Sequence, residues 1–391
     1  MSLRELPPEQ KITASRWRHA RYVPLVLLVI FAVIAAGVGF AVSRTPAPAG
    51  VPVADAAAAA DRLPEICHPP VPAPPSEPWQ GEAAVASEQT WLSHADEMTE
   101  AYITGQDGYI FWGDIQAANL SQSIGRRFLA PEELARWRSY IQELDTSLSA
   151  EGIEFYVVVT PAKWGVYPEE LPAWAKALTG SGPLDQLIAA GSDLPLIDLR
   201  GPLRAAAAEN PVYSRVNSHW TDYGAYVGWN AITDCIVANQ PELDALQPIP
   251  TTGVSLDSDQ NEFATYGVVN PVPDWTVPDF SSPLLPVTLT RAGEPSVVEE
   301  GSTRTGLESL PAGTTTEGAQ SDDSVLMLRD SFGSSLSVYL QQAFHETNQV
   351  RHNFDGDPSQ QPDVMTLANT YKPDLIVLQI AQRHLNFPPS P

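Results

Sequence analysis

The sequence predicts an α/β fold in which helices cover a central, mostly parallel β-sheet. Short, nearly continuous apolar runs alternate with helical patterns, and such runs are typical of strands buried on both faces of a sheet. The clearest runs are residues 153–160, which follow a helical pattern, and residues 325–328, which precede one. A last run at 373–378 lies near the carboxyl end. Because parallel strands need crossover connections, this alternation indicates a layered α/β domain.

An uncharged apolar segment precedes the domain. Residues 23–42 carry no charged side chain, and about 20 such residues are needed to cross a bilayer. Arg16, Arg18 and Arg21 come just before it, which favours a cytoplasmic amino terminus. We therefore expect residues 1–22 in the cytoplasm, a single transmembrane helix at 23–42 and an extracytoplasmic main domain at the cell membrane. A cleaved signal peptide is the alternative.

Composition divides the remainder of the chain. Residues 43–85 are rich in Pro and Ala, which predicts a semi-extended linker that holds the domain off the membrane. Residues 86–391 form the predicted domain. Within it, residues 240–324 are rich in Pro, Thr, Ser, Gly and acidic residues, which indicates a loop-rich insertion with a few edge strands.

Charge and cysteine content limit the possible functions. The formal net charge of −25 makes nucleic acid an improbable partner, because an acidic surface repels phosphate. No phosphate-loop or dinucleotide fingerprint is present, and no Cys/His group has metal-ligand spacing, so we predict neither a cofactor nor a metal. The two cysteines, Cys67 and Cys235, are candidates for a disulfide in an oxidising compartment, and two free thiols are the alternative.

The remaining elements follow in order along the chain. Residues 105–113 predict a tight turn that leads into an aromatic strand packed in the core. A helix begins at Pro131, near acidic residues that favour a helix start, and keeps one apolar face to about residue 150. Further helices are expected near residues 91–102, 183–190, 221–238 and 362–370, with a short strand at 194–199.

Ser331 is the candidate nucleophile. It follows the apolar run 325–328 and precedes a helical pattern formed by Leu336, Leu340 and Phe344. A serine at such a strand-to-helix turn presents its hydroxyl at the carboxyl edge of the sheet. Its backbone N–H then lies near a helix amino terminus, where developing negative charge is stabilised. The alternative is that Asp330 or Ser331 only caps the helix.

His219 is the candidate general base. It lies just before a helix that Thr221 or Asp222 can cap, so its ring is on an exposed turn and can reach a neighbouring strand end. Asn217, two residues earlier, would orient the ring, and Trp220 would anchor the turn from below. A nucleophile, a base and an orienting group need only meet in space. The alternative is a surface histidine without a catalytic role.

Other polar residues are expected at the same edge of the sheet. Lys163 and Tyr167 follow the strand at 153–160, and Gln379 and Arg383 follow the last strand. Ligand sites of open α/β sheets collect at the carboxyl ends of the strands. These residues are therefore candidate ligand contacts, and surface or packing roles are the alternative.

Five ordered motifs resemble those of one family. They are Gly-Gln-Asp-Gly-Tyr-Ile-Phe, Pro-Ala-Lys with a following Tyr-Pro-Glu, Asn-Ser-His-Trp, Arg-Asp-Ser-Phe, and a closing strand with Arg383. Together they resemble the alginate O-acetyltransferase AlgX/AlgJ-like group, which are SGNH-type proteins with an Asp-(Thr/Ser/His)-His-Trp signature. The resemblance implies an SGNH-like three-layer sandwich and transfer of acetyl groups onto hydroxyls of a cell-surface or cell-wall polysaccharide. It also implies a multi-spanning membrane acyltransferase as the partner that supplies acetyl groups.

The resemblance also assigns roles to residues. It implies Ser331 as the nucleophile and His219 as the base, with Asn217 as the orienting residue. The candidate substrate or oxyanion contacts are Asp330, Arg329, Lys163, Tyr167, Trp220 and Arg383.

Three positions depart from the family pattern. Asn217 stands where the signature has Asp, and Gln379 and Gln382 stand where acidic residues are expected. Loss of the triad charge can cost about 10⁴ in rate. Asp222 or Asp330 would have to supply it. Two other functions therefore stay open: a catalytically degenerate polysaccharide-binding or assembly subunit, and a carbohydrate esterase.

Overall fold

The computed structural model describes residues 61–389, except for 75, 99–100, 258–259, 292–293, 299–300, 303 and 357–359. The strands are β1 (Tyr102–Thr104), β2 (Ile110–Trp112), β3 (Glu154–Thr160), β4 (Leu196–Asp198), β5 (Thr251–Leu256), β6 (Thr276–Phe280), β7 (Val287–Arg291), β8 (Glu294–Val298), β9 (Ala312–Thr315), β10 (Ser321–Arg329), β11 (Phe344–Arg351) and β12 (Leu375–Ala381). The helices are α1 (Ala83–Ser93), α2 (Asn119–Ser123), α3 (Pro131–Ala150), α4 (Lys163–Val166), α5 (Ala173–Lys176), α6 (Pro183–Ala189), α7 (Arg200–Ala207), α8 (Asp222–Asn239), α9 (Gly333–Ala343) and α10 (Val364–Tyr371).

The central sheet is mixed rather than mostly parallel. Its order over the described residues is β4-β3-β12-β10-β11-β9-β7-β8. The first five strands are parallel to one another, and β9, β7 and β8 continue the sheet in antiparallel pairs. The antiparallel strands come from the region expected to be a loop-rich insertion. There β7 and β8 form a hairpin, which needs no crossover helix and leaves no helical pattern in the sequence.

Helices cover both faces of the parallel part, which gives the expected three-layer α/β sandwich. Alternate residues of β3 face opposite layers: Tyr156 and Val158 join the core cluster with α8 and α9, and Phe155, Val157 and Val159 join the cluster with α3, α6 and α10. Burial on both faces explains why the apolar runs of these strands are nearly continuous.

The long helix α3 forms as the sequence predicts. Glu133 accepts the backbone N–H of Ala130 at 2.8 Å, which satisfies one of the free donors at the start of the helix. The apolar stripe of Trp137, Ile141, Leu144 and Leu148 is buried against the sheet. The first helix, in contrast, runs over Ala83–Ser93 and not over 91–102 as expected.

The parallel order brings the ends of three strands together. β12 pairs with β3 on one side and with β10 on the other. The loops that follow β3, β10 and β12 therefore leave the sheet at the same carboxyl edge, which is where the candidate site was expected.

Part of the predicted linker belongs to the folded unit. Leu63, Cys67 and Trp79 are buried in the core cluster that contains α8. Cys67 forms a disulfide with Cys235 of α8. The described residues of 61–85 are therefore not a free spacer, because their few large apolar residues pack on the domain.

The predicted cytoplasmic segment 1–22, the predicted transmembrane helix 23–42 and residues 43–60 of the predicted linker lie outside the described residues. Residues 61–389, leaving out the gaps stated above, contain no helix that is long and apolar enough to cross a membrane.

Candidate active site

Ser331 and His219 meet at the carboxyl edge of the sheet. The Ser331 Oγ lies 2.8 Å from His219 Nε2, although the two residues are 112 positions apart. Thr221 caps α8 by accepting the Gly224 N–H at 3.0 Å, which leaves His219 outside the helix on a turn. Both residues are partly exposed.

Trp220 joins the two turns from below. Its side chain is fully buried, and its Nε1–H donates to the carbonyl of Phe332 at 3.1 Å. The Phe332 ring in turn lies 4.6 Å from the His219 ring, centroid to centroid. Trp220 therefore fixes the relative position of base and nucleophile and is not placed to contact a substrate.

Asn217 holds the histidine ring in one tautomer. Its Nδ2 donates to the Gln260 carbonyl at 2.5 Å, so its Oδ1 must face His219. That oxygen accepts the His219 backbone N–H at 2.9 Å and lies 3.3 Å from ring Nδ1. Because Asn217 Oδ1 can only accept, Nδ1 carries the proton and the lone pair of Nε2 points at Ser331. This is the tautomer that a general base requires.

Ser331 does not cap helix α9, which was its alternative role. Phe332 occupies the cap position of α9, without a side-chain cap bond. Asp330 Oδ1 accepts the Phe332 N–H at 3.0 Å instead. The Ser331 hydroxyl therefore remains available to His219.

Asp330 is buried and committed to other partners. One of its oxygens accepts the Ala381 N–H at 2.7 Å and lies 2.9 Å from His384 Nδ1 and 3.5 Å from His352 Nε2. Burial would raise the pKa of Asp330, but its hydrogen bonds with the two histidines hold the pKa well below the ordinary range. Asp330 thus ties the nucleophile turn to the end of β12 and does not replace the orienting acid.

Asp222 does not replace that acid either. Its Oδ2 accepts the indole N–H of Trp275 at 3.2 Å and forms an ion pair with Arg304. The two acids considered from the sequence therefore both serve other contacts.

Arg329 braces the nucleophile turn from inside the protein. It is fully buried, and its guanidinium donates to Gln349 at 2.7 Å, to Ser334 at 3.3 Å and to the Thr305 carbonyl. Burial lowers the pKa of Arg329 to about 10. Its predicted role as a substrate or oxyanion contact does not fit these partners.

Lys163 and Tyr167 brace the histidine turn in a similar way. Lys163 Nζ donates to the carbonyls of Ser214 and Arg215 at 3.2 and 2.7 Å. The Tyr167 hydroxyl accepts the Val212 N–H at 3.0 Å. Both side chains are buried, so the structure assigns them to positioning the loop that carries His219 and not to substrate contact.

The loop after β12 contributes Arg383. Its guanidinium donates to Ser218 Oγ at 3.3 Å and lies 5.3 Å from the centre of the Phe332 ring. Gln379, expected after the strand, lies within β12 and bonds both Asp330 and Thr160. Gln382 accepts the Ala162 N–H at 3.1 Å. Arg383 therefore contacts the residue before His219 and the residue after Ser331.

Two residues of the site come from the 240–324 region, whose sequence contains no functional motif. Gln260 supplies the carbonyl that orients Asn217, and Glu262 accepts the backbone N–H of Ser218 at 2.7 Å. Burial lowers the pKa of His219, and among its charged neighbours Glu262 makes the largest opposing contribution. The residues around Glu262 have no periodicity, and a single acid in a polar loop gives no signal in one sequence.

A metal centre is not indicated by the described part of the chain. Residues 61–389, with the gaps given above, hold no group of three or more His, Cys, Asp or Glu side chains suited to a metal ion. The chemistry that the arrangement itself permits is attack by a serine that a neutral histidine activates.

Comparison with known proteins gives a consistent picture. A family model described as the SGNH hydrolase-like domain of acetyltransferase AlgX matches residues 104–276. Two curated relatives are probable alginate O-acetylases AlgJ. The protein from Azotobacter vinelandii is 29% identical over 100 residues, which is 25% of this chain and 26% of the relative. The protein from Pseudomonas syringae pv. tomato is 26% identical over 136 residues, which is 34% of each.

A solved structure extends the similarity of the fold. PatB1 of Bacillus cereus, solved with a sulfonyl adduct, has a TM-score of 0.51 and 14% identity, and the match covers 73% of this chain and 96% of that one. At this identity the likeness shows the fold alone. The alignments span only about a quarter and a third of the curated relatives.

The resemblance to the AlgX/AlgJ-like family is confirmed, and residues 104–276 are similar to the SGNH hydrolase-like domain of acetyltransferase AlgX. The family match includes Asn217 and His219 but ends before Ser331. The role of Ser331 therefore depends on its geometry.

Proposed function

We propose that this chain is an extracytoplasmic O-acetyltransferase that carries an acetyl group on Ser331 and passes it to a hydroxyl of a cell-surface polysaccharide. One observation carries the proposal: Ser331 Oγ lies 2.8 Å from a histidine whose other ring nitrogen faces a fixed amide oxygen. That is the arrangement of a serine nucleophile, its base and an orienting acceptor.

The first half of the proposed reaction loads the enzyme. His219 Nε2 takes the hydroxyl proton as Ser331 Oγ bonds to the acetyl carbonyl carbon. The tetrahedral intermediate collapses when the bond to the donor's leaving oxygen breaks, and that oxygen takes the proton from His219. The Ser331 backbone N–H, close to the start of α9, would stabilise the negative charge on the carbonyl oxygen.

The second half transfers the group. A sugar hydroxyl loses its proton to His219 and attacks the acetyl carbon, and Ser331 Oγ leaves and regains its proton. Water in place of the sugar would make the protein an esterase. Burial lowers the pKa of His219, which keeps the ring unprotonated at neutral pH and so able to accept a proton.

Location and partner are part of the proposal. The uncharged segment 23–42, which follows three arginines, supports a single-pass anchor at the cell membrane with the domain outside. The AlgJ relatives are named as probable alginate O-acetylases, which supports a polysaccharide acceptor. By analogy with the family, a multi-spanning membrane acyltransferase would supply the acetyl group.

The test is trapping of the acetyl-enzyme. The purified full chain is incubated with a chromogenic acetyl ester, and intact mass is measured for wild type, Ser331→Ala and His219→Ala. We expect one acetyl adduct on wild type, none on Ser331→Ala and much slower formation on His219→Ala. Ser335→Ala, which removes a neighbouring hydroxyl on α9, is the matched control and should keep the adduct.

The acceptor is then identified by chasing the adduct. Loss of the acetyl group to an added polysaccharide faster than to water supports the transferase, and equal loss to water supports the esterase. A folded wild type that forms no adduct and turns over no ester would refute both and favour a degenerate polysaccharide-binding or assembly subunit.

A further inference from the structure

We propose that Glu262 provides the negative charge that Asn217 lacks, so that orientation and charge stabilisation of His219 are divided between two residues. The inference rests on the proposed function for its catalytic meaning. Glu262 would act as a positioning and electrostatic residue through His219 and would not touch the substrate.

Glu262 is fixed next to the catalytic turn by three hydrogen bonds. Its Oε2 accepts the backbone N–H of Ser218, the residue before His219, at 2.7 Å. Its own N–H donates to the Val216 carbonyl at 3.0 Å, and Trp112 Nε1–H donates to Oε1 at 3.3 Å. These contacts hold the carboxylate beside Ser218, the residue before His219, and leave it little freedom.

The same loop requires a neutral amide at position 217. The Gln260 carbonyl accepts from Asn217 Nδ2 at 2.5 Å, and an aspartate there would place two acceptor oxygens face to face. The Gln260 carbonyl thus disfavours a charge at position 217, and Glu262 supplies a charge beside position 218. The same loop therefore accounts both for the neutral amide and for the charge that compensates for it.

The charges around His219 support this division. Four charged or titratable groups are near enough to shift its pKa: Glu262 and Asp330 favour the protonated ring, and Arg383 and His384 oppose it. Asp330 is occupied by His352 and His384, which leaves Glu262 as the principal counter-charge. Burial would raise the pKa of Glu262, but the nearby His219 and the hydrogen bonds from Ser218 lower it, so the carboxylate stays ionised at neutral pH.

The test is Glu262→Gln in the full chain, with two measurements. NMR of ¹³C-labelled histidines reads the pKa of His219, which His219→Gln assigns. The pH profile of kcat/KM with a chromogenic ester reads the same group through its acid limb. Removing a nearby carboxylate destabilises the imidazolium, so we expect both values to fall by at least about half a unit. We also expect kcat to fall about tenfold or more while KM for the small ester changes little.

Asp274→Asn is the matched control. Asp274 is buried and, like Glu262, accepts a backbone N–H of the same turn, that of Arg215 at 2.8 Å, but it is not among the charges that shift His219. This variant should leave the pKa of His219 where it is in wild type. Glu262→Asp keeps the charge on a shorter side chain and should retain most of the wild-type pKa, which a purely structural role would not predict.

The outcomes separate this inference from the proposed function. An unchanged His219 pKa in folded Glu262→Gln overturns the inference, and so does an equal shift in Asp274→Asn. If the pKa of His219 falls in Glu262→Gln but the wild type forms no acetyl adduct, the electrostatic pairing is supported and the acetyl-transfer function is refuted.

Discussion

Replacement of Asn217 by aspartate would restore the acid of the family signature, but the structure predicts that it will lower the stability of the protein. Asn217 is 9% exposed, and its Nδ2 donates to the Gln260 carbonyl at 2.5 Å. Asn217→Asp removes that donor and leaves a carboxylate oxygen opposite a carbonyl oxygen. Neither oxygen can donate, so the hydrogen bond is lost and replaced by repulsion.

The magnitude follows from these contacts. A buried acceptor left without a donor costs about 1–3 kcal/mol, which lowers the melting temperature by a few degrees in a domain of this size. A missing triad charge can cost about 10⁴ in rate, so a chain that lacked any counter-charge would gain greatly from the new acid. Because Glu262, bonded to the neighbouring Ser218 N–H, is proposed to supply that charge already, we expect kcat to change by less than about tenfold.

The assay combines thermal unfolding with ester kinetics at pH 7. Asn369→Asp is the control for the substitution itself, because Asn369 is an exposed residue of α10 and its Nδ2 donates to a carbonyl of its own helix. The control should unfold near the wild-type temperature. A rate increase of about a thousandfold in Asn217→Asp, with stability intact, would refute the reasoning and show that the site lacks a counter-charge.

Two further predictions concern stability. The disulfide joins cysteines 168 residues apart, and the chain-entropy model gives a contribution of about 5 kcal/mol for such a loop. The double variant Cys67→Ser, Cys235→Ser should therefore lower the free energy of unfolding by a comparable amount. An unchanged denaturant midpoint would contradict this. Burial lowers the pKa of Lys163 to about 7, so between about pH 7 and pH 10 the unfolded chain binds a proton that the folded chain does not. The free energy of unfolding should therefore rise with pH in that window more steeply for wild type than for Lys163→Met, and equal slopes would argue against a buried neutral amine.

The sequence predicted the part of the fold that carries the site. Strands β3, β10 and β12 are buried on both faces, and such strands give apolar runs that a single sequence reveals. Their shared carboxyl edge follows from the parallel order, so the proximity of Ser331 and His219 could be predicted without coordinates. Thr221, one of two residues expected to cap α8, is the one that does so.

Strand β11 shows where that reasoning fails. It lies inside the sheet between β10 and β9, yet its sequence, Phe-His-Glu-Thr-Asn-Gln-Val-Arg, is mostly polar. Its buried polar side chains are paired: Thr347 with Thr314 of β9, and Gln349 with Arg329 of β10. A strand whose interior positions are satisfied by hydrogen bonds gives no apolar run, so neither β11 nor the order of the antiparallel strands beside it was predicted.

The division of labour at His219 was out of reach of sequence motifs for a different reason. Glu262 is 44 residues from Ser218 and bonds its backbone N–H, a donor that almost any residue type provides. Gln260 acts through its carbonyl, so its side chain leaves no signature. A comparison of side chains at position 217 alone suggests a lost charge and a degenerate site. The contacts of the 260–262 loop argue instead that Glu262 supplies the charge from a neighbouring segment and that the amide of Asn217 orients the ring. One missing aspartate is therefore not sufficient evidence that a triad is inactive.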